Sequence, residues 1–138
     1  MKVAIIGVGL IGGSLALKLR EKKFANQFSG IDQSGEHLQE ALDLGIIDIA
    51  ENLENGVKNA DLIIVAIPVD ATVKILPQVL DLISEKQTVM DVGSTKSGIV
   101  AAIKNHPKRK RFVAFHPMWG TENSGPKSAQ REIGRAHV

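Results

Sequence analysis

The 138-residue sequence predicts an α/β domain built on a doubly wound, mainly parallel β-sheet with helices on both faces. Three observations lead to this prediction. Short apolar runs alternate with amphipathic, helix-like segments along the chain. One of these runs, Asp61–Pro68, is almost continuously apolar, which is typical of a strand buried on both faces. A glycine-rich turn joins the first predicted strand to the first predicted helix.

The first half of the chain predicts two strand–helix pairs. The β-branched run Lys2–Gly7 stops at a glycine and favours a buried strand. Apolar residues four positions apart then favour a helix over Leu10–Lys22. A second strand is predicted at Phe28–Asp32, followed by a helix that begins after Ser34 as its N-cap and ends at Gly45.

The second half continues the same alternation after the apolar strand. Residues from Val69 onward have helical spacing, but we expect a break at Pro77, where a second short helix would begin. The remaining predicted elements are a strand at Gln87–Gly93, a helix at Ser97–Asn105 and a strand at Arg111–Phe115.

Composition limits the class of protein. Hydrophobic residues make up 43% of the chain and charged residues 23%, which is typical of one folded domain with its own core. Cysteine is absent, which excludes a disulfide scaffold, a Cys-ligated zinc site and thiol catalysis. The net charge is +2, and the basic cluster Lys108–Arg111 lacks interleaved aromatic residues, so we interpret it as a solvated turn rather than a nucleic-acid contact.

The uncharged run Val3–Leu17 resembles a signal peptide, but it is shorter than the about 20 residues of a membrane span. The spacing of its four glycines has a better explanation, given next. We therefore expect a cytoplasmic protein without a membrane partner.

The glycines form the pattern G-x-G-x-x-G at Gly7, Gly9 and Gly12. The pattern follows a predicted strand and opens a predicted helix, which is the context of a Rossmann-type dinucleotide site. Gly7 would make the tight turn, Gly9 would admit the pyrophosphate, and Gly12 would let the helix pack closely on the strand. The free N–H groups around Leu10 and Ile11 would face the phosphates.

Asp32 lies 20 residues after Gly12, at the end of the second strand. Its carboxylate would accept hydrogen bonds from the adenosine ribose and would repel a 2′-phosphate, so we predict NAD rather than NADP as cofactor. Pro68 and Val69, after the apolar strand, and Gly93, after the next one, would complete the cofactor cleft at the same sheet edge.

His116 follows the last predicted strand and could accept a proton near neutral pH. A lone histidine is more often structural, and Ser94 with Thr95 could simply cap the following helix. The four histidines show no metal-ligand spacing, and no metal is predicted.

Three stretches together resemble the prephenate dehydrogenase family: GVGLIGGSLAL (Gly7–Leu17), DVGSTK (Asp91–Lys96) and FHPMWGTENSG (Phe115–Gly125). The resemblance implies NAD-dependent oxidative decarboxylation of prephenate to 4-hydroxyphenylpyruvate, a step toward tyrosine. It implies that His116 hydrogen-bonds the ring hydroxyl and that Ser94 orients it.

The same resemblance places Thr121 and Glu122 on the substrate side. Family members often have a small residue at Trp119, so the role of that tryptophan stays open.

The resemblance also implies a domain organisation. Residues 1–130 correspond to the dinucleotide-binding domain, and we expect residues 131–138 to be a non-native or divergent tail. We expect the family's helical C-terminal domain, which would form a homodimer, to lie outside these 138 residues, and we expect the fragment alone to be inactive or weakly active. Two alternatives remain: an arogenate dehydrogenase, and a non-catalytic NAD-binding regulatory module.

Overall fold

A computed structural model describes residues 1–92 and 97–114, without the side chains of Ser97 and Ala114. The described chain forms six strands and five α-helices in nearly strict alternation. The strands are β1 (Lys2–Ile6), β2 (Gln27–Ile31), β3 (Ile49–Ala50), β4 (Leu62–Val65), β5 (Thr88–Asp91) and β6 (Phe112–Ala114). The helices are α1 (Leu10–Glu21), α2 (Gly35–Asp43), α3 (Leu53–Lys58), α4 (Val69–Leu82) and α5 (Ser97–Ile103).

All the strand pairs in the described chain are parallel, in the order β3-β2-β1-β4-β5-β6. The chain therefore starts in the middle of the sheet, builds outward to β3, and then returns to build the other half from β4. This is the predicted doubly wound architecture, and it is confirmed. Because the two halves diverge from the β1–β4 pair, a crevice opens there at the carboxyl ends of the strands.

Helices cover both faces of the sheet. On one face, Val3, Ile5 and Leu62 pack with residues of α1 and α2. On the other face, Ala4 and Ile63 pack with residues of α3, α4 and α5. All four residues of β4 are buried, which confirms the prediction of a strand covered on both sides.

The predicted ends of α2 are confirmed in atomic detail. Ser34 is the N-cap, and its hydroxyl accepts a hydrogen bond of 3.2 Å from the His37 amide. Gly45 has φ +73°, a conformation that favours glycine, and the Ile46 amide donates to Ala41 O at 2.9 Å. This arrangement is a Schellman motif that satisfies the last carbonyls of the helix.

The predicted break at Pro77 is wrong, because α4 runs as one helix from Val69 to Leu82 with Pro77 inside it. A proline in a helix interior costs about 3 kcal/mol. Leu76, Val79 and Leu80, on either side of the proline, are fully buried against the sheet. Burial of such side chains contributes about 1.5–3 kcal/mol each, so packing outweighs the local cost of the proline.

Sequence reasoning missed β3 and α3, which are both short. The Asn52 side chain caps α3 by accepting from the Asn55 amide at 2.8 Å. Gly56 interrupts the helical pattern, but a Cβ at that position would lie 2.5 Å from Ile31 Cδ1. A side chain at position 56 would therefore displace the Ile31 side chain, so the fit of a glycine here comes from tertiary packing rather than from local sequence.

The basic cluster Lys108–Arg111 is only partly the solvated turn that we predicted. Lys108 Nζ donates to Ile83 O at 2.6 Å, close to the end of α4. Arg111 Nε donates to Gln87 O at 2.8 Å, while Arg109 and Lys110 are exposed. The cluster precedes β6 and so lies at the amino edge of the sheet, opposite the crevice.

The uncharged N-terminal run folds as β1, the glycine turn and the start of α1. Among the described helices, none combines the length and the apolar character that crossing a bilayer requires.

Candidate nucleotide-binding site

A cleft of about 740 Å³ opens at the carboxyl ends of β1, β2 and β4, where the two halves of the sheet diverge. Its walls come from the strand ends, the glycine turn, the start of α3 and one face of α4. The lining includes Gly7, Gly9, Asp32, His37, Pro68 and Lys74.

The turn after β1 depends on Gly7, which has φ +95°. A Cβ there would lie 2.6 Å from Ala66 O, so β1 and the segment after β4 approach more closely than any side chain would permit. The Gly7 amide donates to Ile31 O at 2.7 Å, which ties the turn to β2. Both the conformation and the space at this position therefore require glycine.

Gly12 is closely packed, whereas Gly9 faces open space in the described chain. A Cβ on Gly12 would overlap the carbonyl oxygen of Gly7 and would lie 3.1 Å from Ile5 Cγ2. The first turn of α1 is therefore packed directly against the turn that precedes it. A Cβ on Gly9 would meet nothing within 4 Å among the described residues, although Gly9 lines the cleft. Packing within this part of the chain therefore does not require a glycine at position 9.

The N-terminus of α1 is open to an anion. The helix starts at Leu10 after Gly9, with no side-chain cap and no acidic residue in its first turn. Leu10 is 88% exposed, so nothing in the described chain covers this end of the helix. The first N–H groups of a helix lack intrahelical partners and carry partial positive charge. These groups, including those of Leu10 and Ile11, can bind a phosphate.

The Asp32 carboxylate is held in a fixed orientation by two backbone donors. Its Oδ2 accepts from the Val8 amide at 3.0 Å, and its Oδ1 accepts from the Ser34 amide at 2.8 Å. His37 Nδ1 lies 3.5 Å from Oδ2. Each carboxylate oxygen can accept more than one hydrogen bond, so Asp32 is oriented by the protein and keeps acceptor capacity for a ligand.

The structure brings together four of the predicted cofactor residues, because Gly7, Gly9, Asp32 and Pro68 all line the cleft. Four other predicted cofactor residues are not part of the cleft lining, namely Leu10, Ile11, Gly12 and Val69. Leu10 and Ile11 contribute the helix end described above, Gly12 packs on the turn, and Val69 begins α4 and packs in the core.

Sequence reasoning missed the contributions of α3 and α4 to the cleft. Ala71, Lys74, Ile75 and Gln78 lie along one face of α4, and all four line the cleft. Their helical spacing was readable from the sequence, but their presence in the same cleft as Asp32 follows only from the order of the strands.

The predicted residues Gly93, Ser94, His116, Thr121 and Glu122 lie outside the described residues. Trp119 and residues 131–138 lie outside them as well.

The two strands that precede those residues, β5 and β6, lie side by side. β5 and β6 are parallel neighbours, with Asp91 paired to Ala114 at their carboxyl ends. Ser94 follows the end of β5 by three residues, and His116 follows the end of β6 by two.

Comparisons with known proteins agree with this geometry. The family model described as "Prephenate dehydrogenase, nucleotide-binding domain" matches residues 15–137. The prephenate dehydrogenase of Bacillus subtilis is 39% identical over 131 residues, which cover 93% of this chain and 35% of the relative.

Solved structures give the same result. A prephenate dehydrogenase from A. aeolicus, in complex with hydroxyphenyl propionate and NAD+, superimposes with a TM-score of 0.78 at 37% identity, covering 92% of this chain and 45% of that one. The arogenate dehydrogenase of Synechocystis has a TM-score of 0.72 at 27% identity, covering 92% and 44%. The chain therefore spans less than half the length of the relatives that it matches here.

Proposed function

This chain belongs to the prephenate dehydrogenase family, and we propose that it is the NAD-binding part of an enzyme that converts prephenate to 4-hydroxyphenylpyruvate. The observation that carries the proposal is the space in front of Gly9. That glycine is not required by packing within the described chain, lines the cleft, and lies between an open helix end and the oriented carboxylate of Asp32. A dinucleotide needs these three features in this order.

The cofactor would lie across the cleft with its pyrophosphate at the start of α1. The N–H groups of Leu10 and Ile11 would bind its oxygens, and Gly9 would allow the backbone to approach them. Asp32 would accept hydrogen bonds from the adenosine ribose hydroxyls with the acceptor capacity that its two backbone donors leave. The nicotinamide half would then extend past Pro68 toward β5 and β6.

Bound NAD supplies a hydride acceptor for the ring carbon that carries the hydroxyl group of prephenate. We assign to His116 the acceptance of the hydroxyl proton and its return to the oxygen once carbon dioxide has left and the ring is aromatic. An imidazole has an ordinary pKa near 6.5, which suits this exchange near neutral pH. Ser94 would hold the imidazole in one orientation.

Two facts support the pairing of these residues. They follow neighbouring parallel strands, β5 and β6, by three residues and two residues respectively. The carboxyl ends of parallel strands meet at one sheet edge, which is also the edge of the cleft. Thr121 and Glu122 would extend the substrate side from the segment that carries His116.

Arogenate is the second candidate substrate, because the arogenate dehydrogenase of Synechocystis shares this fold at 27% identity. The two substrates would use the same ring chemistry and differ in the side chain. Assays of a full-length protein that contains this chain, with each substrate in turn, distinguish the two.

The cofactor part of the proposal is tested with two glycines that both have open space around them. Among the described residues, no atom would lie within 4 Å of a Cβ at Gly9 or at Gly35, but of the two only Gly9 lines the cleft. In calorimetric titrations of the 138-residue chain with NAD, Gly35→Ala should bind like the wild type. Gly9→Ala should bind roughly tenfold or more weakly, a loss of about 1.4 kcal/mol, with an unchanged melting temperature.

Equal NAD affinity in the wild type and both variants would contradict the assignment of this turn as the pyrophosphate site.

The catalytic part is tested by His116→Asn in a protein of the relatives' full length. Turnover should fall by about 10²–10⁴ while NAD affinity stays the same, because the imidazole acts on the substrate hydroxyl and not on the cofactor. Unchanged turnover would rule out His116 as the proton acceptor, whereas a parallel loss of NAD affinity would point to a structural role.

A further inference from the structure

The nucleotide cleft carries an unusual set of charges for a site that we predicted to exclude NADP. Among the described lining residues, Asp32 is the one acid and Lys74 is the one lysine or arginine. His37 lines the same cleft beside Asp32. A carboxylate, an imidazole and an ammonium group therefore line the cleft in which we propose that NAD binds.

Lys74 lines the cleft from the α4 side. Within the described chain it makes no hydrogen bond or ion pair, whereas Lys18 and Lys58 pair with acids on their own helices. It is exposed, and it projects from the α4 face that also presents Ala71 and Gln78 to the cleft. A flexible lysine stem at such a place can bring its ammonium group to an anion bound in the cleft.

His37 is directed at the cleft by its place in α2. Its amide donates to the Ser34 cap, which fixes it in the first turn of the helix. Its Nδ1 lies 3.5 Å from Asp32 Oδ2, and its side chain is 54% exposed. The imidazole can therefore donate a hydrogen bond to a group that occupies the place of the Asp32 carboxylate.

The carboxylate of Asp32 disfavours NADP, as predicted from the sequence. We propose that His37 and Lys74, which line the same cleft, form a latent site for a 2′-phosphate. This inference rests on the proposed binding of NAD and extends it to cofactor selection. The phosphate carries up to two negative charges, so the oriented carboxylate repels it. Once that carboxylate is neutral, the ammonium group of Lys74 and a donor on His37 remain to attract the phosphate.

The test begins with Asp32→Asn in the 138-residue chain, titrated calorimetrically with NAD and with NADP. Removing a like charge should raise the affinity for NADP by roughly tenfold or more, while the affinity for NAD falls. The asparagine amide would face the Val8 N–H, so this variant could lose stability. Asp32→Ser provides a second variant without that conflict, and melting curves confirm that each chain is folded.

The second step identifies the groups that receive the phosphate. In the Asp32→Asn background, Lys74→Ala and His37→Ala should each lower the affinity for NADP by about fivefold more than they change the affinity for NAD. Lys104→Ala is the matched control, because Lys104 is exposed and lies outside the cleft lining. That control should change neither affinity.

Each outcome decides a separate claim. If the wild-type chain binds NAD but neither folded Asp32 variant gains affinity for NADP, the inference is wrong while the proposed function stands. If the gain appears but survives both Lys74→Ala and His37→Ala, the latent site is wrong. If the wild-type chain binds no NAD at all, the proposed function itself fails.

Discussion

Gly12→Ala tests the close contact between α1 and the glycine turn. In most helix interiors this substitution stabilises a protein, by about 1 kcal/mol, because alanine has the higher helix propensity. Here the new methyl group would overlap the carbonyl oxygen of Gly7 and would lie 3.1 Å from Ile5 Cγ2 and 3.2 Å from Ala66 Cβ. The carbonyl is backbone and cannot rotate away as a side chain would.

The helix must therefore move, and it carries the buried residues Leu15, Ala16 and Leu19 with it. Forcing extra volume into a packed region costs about 1–3 kcal/mol and occasionally more. Because a backbone atom is the obstacle, we take the upper end and subtract the propensity gain, which leaves a net loss of about 2 kcal/mol. For a domain of this size, that loss lowers Tm by roughly 8 °C.

The assay is thermal unfolding of the wild type, Gly12→Ala and Gly9→Ala chains, followed by circular dichroism. Gly9 has φ −75° and open space for a methyl group, so its variant should remain within about 0.5 kcal/mol of the wild type. A Gly12→Ala chain that melts at or above the wild-type temperature would refute the packing argument.

Three further predictions concern stability alone. Gln87→Leu should destabilise the chain by about 2–4 kcal/mol in denaturant titrations, because the side-chain amide of Gln87 donates to two backbone carbonyls at 2.6 Å each. A loss of stability below about 1 kcal/mol would contradict this prediction. Pro77→Ala should raise the free energy of unfolding by about 1 kcal/mol or more, because α4 is continuous and alanine restores a backbone N–H that can donate to the Val73 carbonyl. A lower free energy of unfolding would show that the proline ring is needed for packing.

The third prediction concerns Asp48. Partial burial alone would raise the pKa of its carboxyl group, but the hydrogen bonds from Arg20 and the Phe28 amide outweigh burial and hold the pKa below its ordinary value of 3.8. The stabilisation that the Asp48 carboxylate gives is present above pH 3.8 and is lost as the pH falls through the lower folded-state pKa. The difference in unfolding free energy between the wild type and Asp48→Asn should therefore become smaller in acid. A difference of equal size at pH 7 and pH 3 would contradict the role of charge.

The sequence predicted the fold well because its strongest signals are local. Gly7, Ser34 and Gly45 each occupy a turn or a helix end whose backbone conformation or capping bond selects that residue type. The continuous apolar run of β4 likewise reports burial on both faces. These features need no knowledge of what the rest of the chain does.

Features that depend on tertiary contacts were missed or predicted wrongly. The helix at Pro77 continues because its neighbours are buried, and Gly56 lies where α3 packs against the Ile31 side chain. The presence of Lys74 in the same cleft as Asp32 and His37 is likewise a consequence of strand order, since α4 follows β4 and the other two residues follow β2. Local sequence patterns cannot report such contacts.

The central claim is that NAD occupies the cleft at the carboxyl ends of β1, β2 and β4. The most direct measurement is a two-dimensional ¹⁵N NMR titration of the 138-residue chain with NAD. We predict that the amide signals of Gly7–Ile11 and those of Asp32 and Ser34 shift progressively, while those of Lys108–Arg111 at the opposite edge stay fixed. Signals at the glycine turn that do not move at saturating NAD, or shifts confined to the opposite edge, would contradict the claim.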